Sequence, residues 1–254
     1  MSEQRTVWGI GLATTSGDGT VLDTWFPEVR LGIPSDEDAA ASAATWGAFA
    51  EPDERRGVTV ELVTLSIDLD AAPASTPDAY LRLHALSHRV VAPNELNLDG
   101  IFAHLPIVAW TTAGPLHPDD AARLRPQLQR AGIQVHSLDK FPRLLDYVVP
   151  PGVRIADASR VRLGAYLSPG TTVMHEGFVN LNAGTLGSSM AEGRISEDVV
   201  ADSGADIEGG ASIRGTLPGG VSHRAPIGAR TLRGAGAGSG ISIGADSSID
   251  ALPV

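Results

Sequence analysis

The stretch Ile155-Ala156-Asp157-Ala158-Ser159-Arg160-Val161-Arg162-Leu163-Gly164-Ala165-Tyr166-Leu167-Ser168-Pro169-Gly170-Thr171-Thr172-Val173-Met174-His175-Glu176-Gly177-Phe178-Val179 decides the reading of the chain. It sets an aliphatic residue at every sixth position: Ile155, Val161, Leu167, Val173 and Val179. A helix repeats every 3.6 residues and a strand every 2, so neither asks for this beat. A left-handed parallel β-helix does. Each flat face of its triangular coil takes about six residues, with one aliphatic side chain pointing into the prism. Gly, Ala, Ser, Asp and Asn fall between the aliphatics, where corners demand backbone angles that larger side chains resist. A disordered Gly-rich tail would show no such order.

Outward from this stretch, the composition shifts at Pro150-Pro151. Nineteen of the 29 glycines follow residue 150, with Tyr166 and Phe178 the only aromatics there, as a small aliphatic core requires. The beat continues through Thr185 and Ala191. It restarts four positions later at Ile195, Ala201, Ile207 and Ile213, breaks over 214–226, resumes at Ile227 and takes a third phase at Ile243 and Ile249. Breaks are expected to be loops that leave the prism wall, and loops on a rigid scaffold carry sites. The first break holds Glu192 and Arg194, a carboxylate and a guanidinium one residue apart. They could hold and transform an anionic amine, and their spacing alone fits a surface ion pair as well. His175-Glu176 is placed on a coil face, where a histidine could act as base. His175 and His223 are too few for a histidine metal centre. Gly209-Gly210-Ala211-Ser212 and Gly234-Ala235-Gly236-Ala237-Gly238 would either expose backbone groups to an extended ligand such as the pantetheine arm of coenzyme A or serve as plain corners.

The first half differs. Residues 6–14 and 20–26 flank Ser16-Gly17-Asp18-Gly19 and predict a hairpin. Residues 33–56 predict a loop or weak helix, 58–69 a strand, and 78–90 a helix. A strand at 107–110, a helix from His117-Pro118 to about Arg130 and a strand at 133–138 predict a β-α-β unit without a Gly-x-Gly-x-x-Gly turn. The expected fold is an α+β N-terminal part followed by a left-handed parallel β-helix, divided as 1–105, 106–150 and 151–254.

Charge narrows the partners. The formal net charge of −11 disfavours nucleic acid and anionic membranes. Residues 1–150 hold 11 basic and 20 acidic residues, residues 151–254 hold 8 and 10, so an anionic ligand would prefer the second half. The absence of cysteine removes thiolate chemistry, and Lys140 is the only lysine. No signal-peptide pattern opens the chain and no run approaches a membrane span, so a cytoplasmic protein is expected.

Read as a string, His175-Glu176-Gly177-Phe178-Val179-Asn180 through Met190-Ala191-Glu192-Gly193-Arg194-Ile195-Ser196 resembles the actinobacterial type of tetrahydrodipicolinate N-succinyltransferase. Asp139-Lys140-Phe141-Pro142-Arg143, Asp146-Tyr147-Val148-Val149-Pro150, Tyr80-Leu81-Arg82-Leu83-His84, Gly11-Leu12-Ala13 and Leu22-Asp23-Thr24-Trp25-Phe26 are similar to that family too. The resemblance implies a homotrimer with active sites between neighbouring solenoids. It implies succinyl transfer from succinyl-CoA to the amino group of open-chain tetrahydrodipicolinate, a dicarboxylate, toward diaminopimelate and lysine. Glu192 would be catalytic, through an acyl anhydride or proton transfer. Arg194, Gly209, Ser212, Ala235, Asp250 and Ala251 would contact the CoA ester, and Glu176 would meet its symmetry mates around a divalent ion such as Mg2+. Ser159 stands where the family has an acidic residue, Arg233 where it has an apolar one and Gly236 where it has an asparagine. Family members continue beyond the position of Val254, so an incomplete solenoid with an uncapped last coil is expected. Two other readings are a non-catalytic trimeric solenoid and a different CoA-dependent acyltransferase with His175 as base.

Overall fold

The computed structural model describes residues 5–213, 225–234, 238–239 and 242–250. They fall into two compact units, residues 5–82 with 97–142, and residues 83–96 with the described residues from 143 onward.

The first unit is built on an antiparallel sheet. The hairpin strands β1 (Thr6–Ser16) and β2 (Val21–Leu31) join β3 (Pro52–Asp53) and β4 (Val58–Asp68) in the order β2-β1-β4-β3. The segment expected as a loop or weak helix holds helix α1 (Asp36–Trp46) and a 3₁₀ turn. The Ser35 hydroxyl accepts from the Asp38 N–H at 3.1 Å, and three acids fill the first turn. Helix α2 (Thr76–Ser87) belongs to this unit as far as Arg82. Arg82 is fully buried, yet its guanidinium is well held. It donates to Asp78 at 2.7 Å and to the carbonyls of Asn97 and Asp68, both at 3.0 Å.

The predicted β-α-β stretch differs in two ways. A further strand, β6 (Gly114–Leu116), lies between β5 (Val108–Thr111) and β7 (Val135–Asp139), and the order is β6-β5-β7 with both pairings antiparallel. Only Thr112 and Ala113 separate β5 from β6, a reversal that permits antiparallel pairing alone. The single helix is two, α3 (Pro118–Arg123) and α4 (Arg125–Arg130). Pro126 has no N–H to continue the ladder and sits in the first turn of a new helix.

The second unit is a parallel β-solenoid. Three sheets run along it, and their inward columns are the residues of the six-residue beat. One column is Ile155, Val173, Ala191, Ile207, Arg233 and Ile249. The second contains Val161, Val179, Ile195 and Ile213, and the third Leu167, Thr185, Ala201, Ile227 and Ile243. Most of these side chains are fully buried. Thr185, a polar member, shares a 2.6 Å hydrogen bond with Thr171. Successive residues of the first column are 18, 18, 16, 26 and 16 positions apart.

One corner of the coils repeats a left-handed residue: Gly164 at φ 95°, Asn182 at 51° and Asp198 at 67°. At Gly164 a side chain would also collide with Leu181 and Leu83. Segment 83–96 docks on this corner. Ser87 Oγ accepts from the Gly164 N–H at 2.8 Å, the Asn94 N–H donates to Asn182 Oδ1 at 2.8 Å, and Asn182 Nδ2 donates to Asp198 at 2.7 Å.

Candidate active site

The expected loop at Glu192 is instead the tightest corner of the solenoid. Ala191 and Ile195 both keep inward places although four residues apart, and Met190–Ala191 and Arg194–Ile195 both pair with the coils before and after. A spacing below six can only shorten a corner. A longer one, as between Ile213 and Ile227, leaves chain outside the wall. The Glu192 and Gly193 N–H groups both donate to the Ile207 carbonyl, at 2.8 and 2.9 Å. Any side chain at Gly193 would stand 2.6 Å from the Ala211 carbonyl and 2.7 Å from that of Glu208. Glycine is therefore required for the turn to close against the next coil.

This geometry aims the Glu192 side chain along the solenoid edge. The carboxylate oxygen Oε2 lies 3.9 Å from where a Cβ on Gly209 would be, so Glu192 and Gly209 face each other across adjacent coils. Arg194 lies on the flat face that follows, in register with Phe178 on the coil before and Ser212 on the coil after. Its guanidinium sits over the Phe178 ring, 5.8 Å from the centroid. Glu192, Arg194, Gly209 and Ser212 are thus brought together on consecutive coils. Asp250 packs against Gly234 on the same edge. Ala235 and Ala251 lie outside the described residues, as do His223 and Gly236.

Two carboxylates that the sequence did not single out crowd this edge. Asp206 is in register with Met190, one coil beyond, and its Oδ1 is buried with no hydrogen-bond partner. Burial, then the charges of Glu192 and Glu208, push its carboxyl above the usual aspartate value. The sequence signal was present. Once the beat restarts at Ile195, residue 206 falls two places before the corner facing Glu192.

The remaining candidates stand apart. His175 and Glu176 occupy a turn, not a coil face, and both are exposed. No described contact gives His175 the orientation of a base. Glu176 lies 3.7 Å from Arg160. Asp157, beside Ser159, is held below the usual aspartate range by hydrogen bonds from the Ser159 hydroxyl and N–H. Among the described residues no three His, Asp or Glu side chains gather to hold a metal ion. Arg233 points into the prism between Ile207 and Ile249, which accounts for the apolar residue expected there, and burial lowers its proton affinity. No described helix is long and apolar enough to cross a membrane.

A parallel solenoid that sets a carboxylate, an arginine and an open glycine turn along one edge has the makings of a hexapeptide-repeat acyltransferase. Comparison with known proteins carries this further. Residues 105–143 match the model of the tetrahydrodipicolinate N-succinyltransferase middle region. The chain is 52% identical over 214 residues to a 2,3,4,5-tetrahydropyridine-2,6-dicarboxylate N-succinyltransferase of Salinispora tropica, covering 81% of this chain and 67% of that one. It is 53% identical over 214 residues to a protein of the same name from Pseudomonas paraeruginosa, covering 84% of this chain and 60% of that one. A Campylobacter jejuni crystal structure described as a 2,3,4,5-tetrahydropyridine-2-carboxylate N-succinyltransferase superposes with a TM-score of 0.81 at 28% identity, over 98% of this chain and 77% of that one. The chain belongs to the tetrahydrodipicolinate N-succinyltransferase family.

Proposed function

We propose that the chain transfers the succinyl group of succinyl-CoA to the amino group of open-chain tetrahydrodipicolinate, with Glu192 as the proton acceptor. The observation that carries this reading is the four-residue corner. It turns the Glu192 carboxylate toward Gly209, two residues before Arg194 and the Ser212 that pairs with it, which supports the reading. The amine nitrogen attacks the thioester carbonyl and forms the C–N bond. Glu192 takes the proton that the nitrogen must lose. The C–S bond then breaks, and the CoA sulfur leaves with that proton. Arg194 holds an anionic group of the donor, for which its planar fork is suited. Alignment of amine and thioester in one cleft lowers the barrier by about 7–11 kcal/mol in well-oriented cases.

In this reading three chains associate, each site lies between neighbouring solenoids, and the enzyme is cytoplasmic. The exposed Glu176 carboxylates would meet around a divalent ion that neutralises their charge. Gly209, Ser212 and Asp250, with Ala235 and Ala251, would line the CoA path.

The test is CoA release from succinyl-CoA in the presence of an aminodicarboxylate acceptor. Glu192→Gln should lose about 10²- to 10⁴-fold in kcat, the usual contribution of a positioned base. The reading is wrong if the wild type releases no CoA, or if Glu192→Gln turns over as well as the wild type.

A further inference from the structure

On a chain with net charge −11, one flat face of the solenoid is rich in arginine. Its outward positions include Arg160, Phe178 and Arg194 in one column and Arg162, Asn180 and Ser196 in the next. These arginines are not equivalent. Arg160 is drawn toward Glu176, 3.7 Å away, and Arg194 is exposed beside the Glu192 corner. Arg162 is half-buried. Its Nη1 donates to Asn180 Oδ1 at 3.2 Å, and its guanidinium carbon lies 5.8 Å from the centroid of the Phe178 ring. Arg194 stands at the same 5.8 Å from that ring. Phe178 is therefore flanked by two guanidinium groups, each steadied by the ring face.

We infer that Arg162 is a positioning residue for the acyl acceptor, binding one of its carboxylates across the Phe178 ring from Arg194. This rests on the succinyl-transfer reading, in which the acceptor is an aminodicarboxylate and Arg194 serves the donor.

Distance permits the arrangement. Two guanidinium carbons that are each 5.8 Å from one centroid are at most 11.6 Å apart. The carboxyl carbons of an extended seven-carbon dicarboxylate are about 7.5 Å apart. An arginine–carboxylate pair adds about 4 Å at the anchored end, for a reach of about 11.5 Å. An acceptor anchored at Arg162 can therefore place its amino end beside Arg194 and Glu192, where the thioester is attacked. Chemistry permits it too. A guanidinium has five N–H donors and takes both oxygens of a carboxylate through two of them. The Asn180 bond and the ring hold the group in one orientation, so less freedom is lost on binding.

The experiment compares the wild type with Arg162→Gln and Arg162→Lys, using an aminodicarboxylate acceptor and the corresponding amino acid without the distal carboxylate. Arg162→Gln should raise KM for the dicarboxylate about 10- to 100-fold while KM for succinyl-CoA stays within about twofold. Preference for the dicarboxylate over the monocarboxylate should collapse, and Arg162→Lys should restore part of it. Equal losses on both acceptors, or no loss on either, would overturn the inference. Calorimetric binding of heptanedioate, which has no amine to acylate, gives a second reading. Weaker binding by folded Arg162→Gln supports the inference and unchanged binding overturns it, even if the wild type releases no CoA. Thermal melts establish that the variants are folded. If Arg162→Gln is not, Arg162→Lys decides by the same readouts.

Discussion

Two buried arginines illustrate what a single residue contributes. Arg82 is enclosed, but Asp78 and three backbone carbonyls accept its protons, so its burial is compensated. Arg82→Met would leave the Asp78 carboxylate and those carbonyls buried and under-satisfied. Urea unfolding should show a loss of about 3–5 kcal/mol. Arg233 occupies a position that other coils fill with valine, alanine or isoleucine, and its burial lowers its proton affinity. Arg233→Leu should raise the melting temperature, with a gain of about 1–4 kcal/mol typical of such replacements. At this scale the sequence was least informative. Glu192 and Arg194 could be picked out because they interrupt a pattern. Asp206 and Glu208 interrupt nothing and come into view only once the restarted beat is used to stack one coil on the next, and Arg162 interrupts nothing either.

At the level of the coil, the six-residue beat was legible almost completely. Each aliphatic it marks in the described residues faces inward, because one position per face must be apolar and no other needs to be. The corners were less legible. A gap of four was expected as a loop and is a tight turn, since a spacing alone does not say whether chain is added or removed. The corner after Arg194-Ile195 shows how sequence and stacking combine. Its second position is Leu163 on one coil, Leu181 on the next and Glu197 on the following one, both leucines being fully buried. Burial, then Asp198, raise the Glu197 carboxyl to about 7, with Arg162 acting the other way. The folded chain keeps that proton up to about pH 7, whereas the unfolded chain releases it near 4.5. Stability is therefore intact below pH 4.5, declines as pH rises toward 7 and stays reduced above. Glu197→Leu should remove the decline. Allowing for solvent screening at a half-buried site, it should gain on the order of 1–2 kcal/mol at pH 8 and little at pH 4, as read from denaturant midpoints.

Across the whole molecule, charge is distributed by role. The first 150 residues carry most of the acidic excess, and the near-neutral second half holds the arginine face and the Glu192 corner. The unequal totals were visible in the composition. That the arginines share one face was not, because it depends on the 18-residue coil and on where the coil shortens. The antiparallel pairing around β5 was hidden for a related reason: Gly114–Leu116 is too short to show a period.

The Ile207 carbonyl receives two amides, those of Glu192 and Gly193, and this gives the site a clock. Neither hydrogen can trade with solvent until coils separate at that point, so isotope exchange there measures how often the solenoid unzips. The proposed chemistry, which needs this corner held in place, would inherit its lifetime from the staying power of the stack.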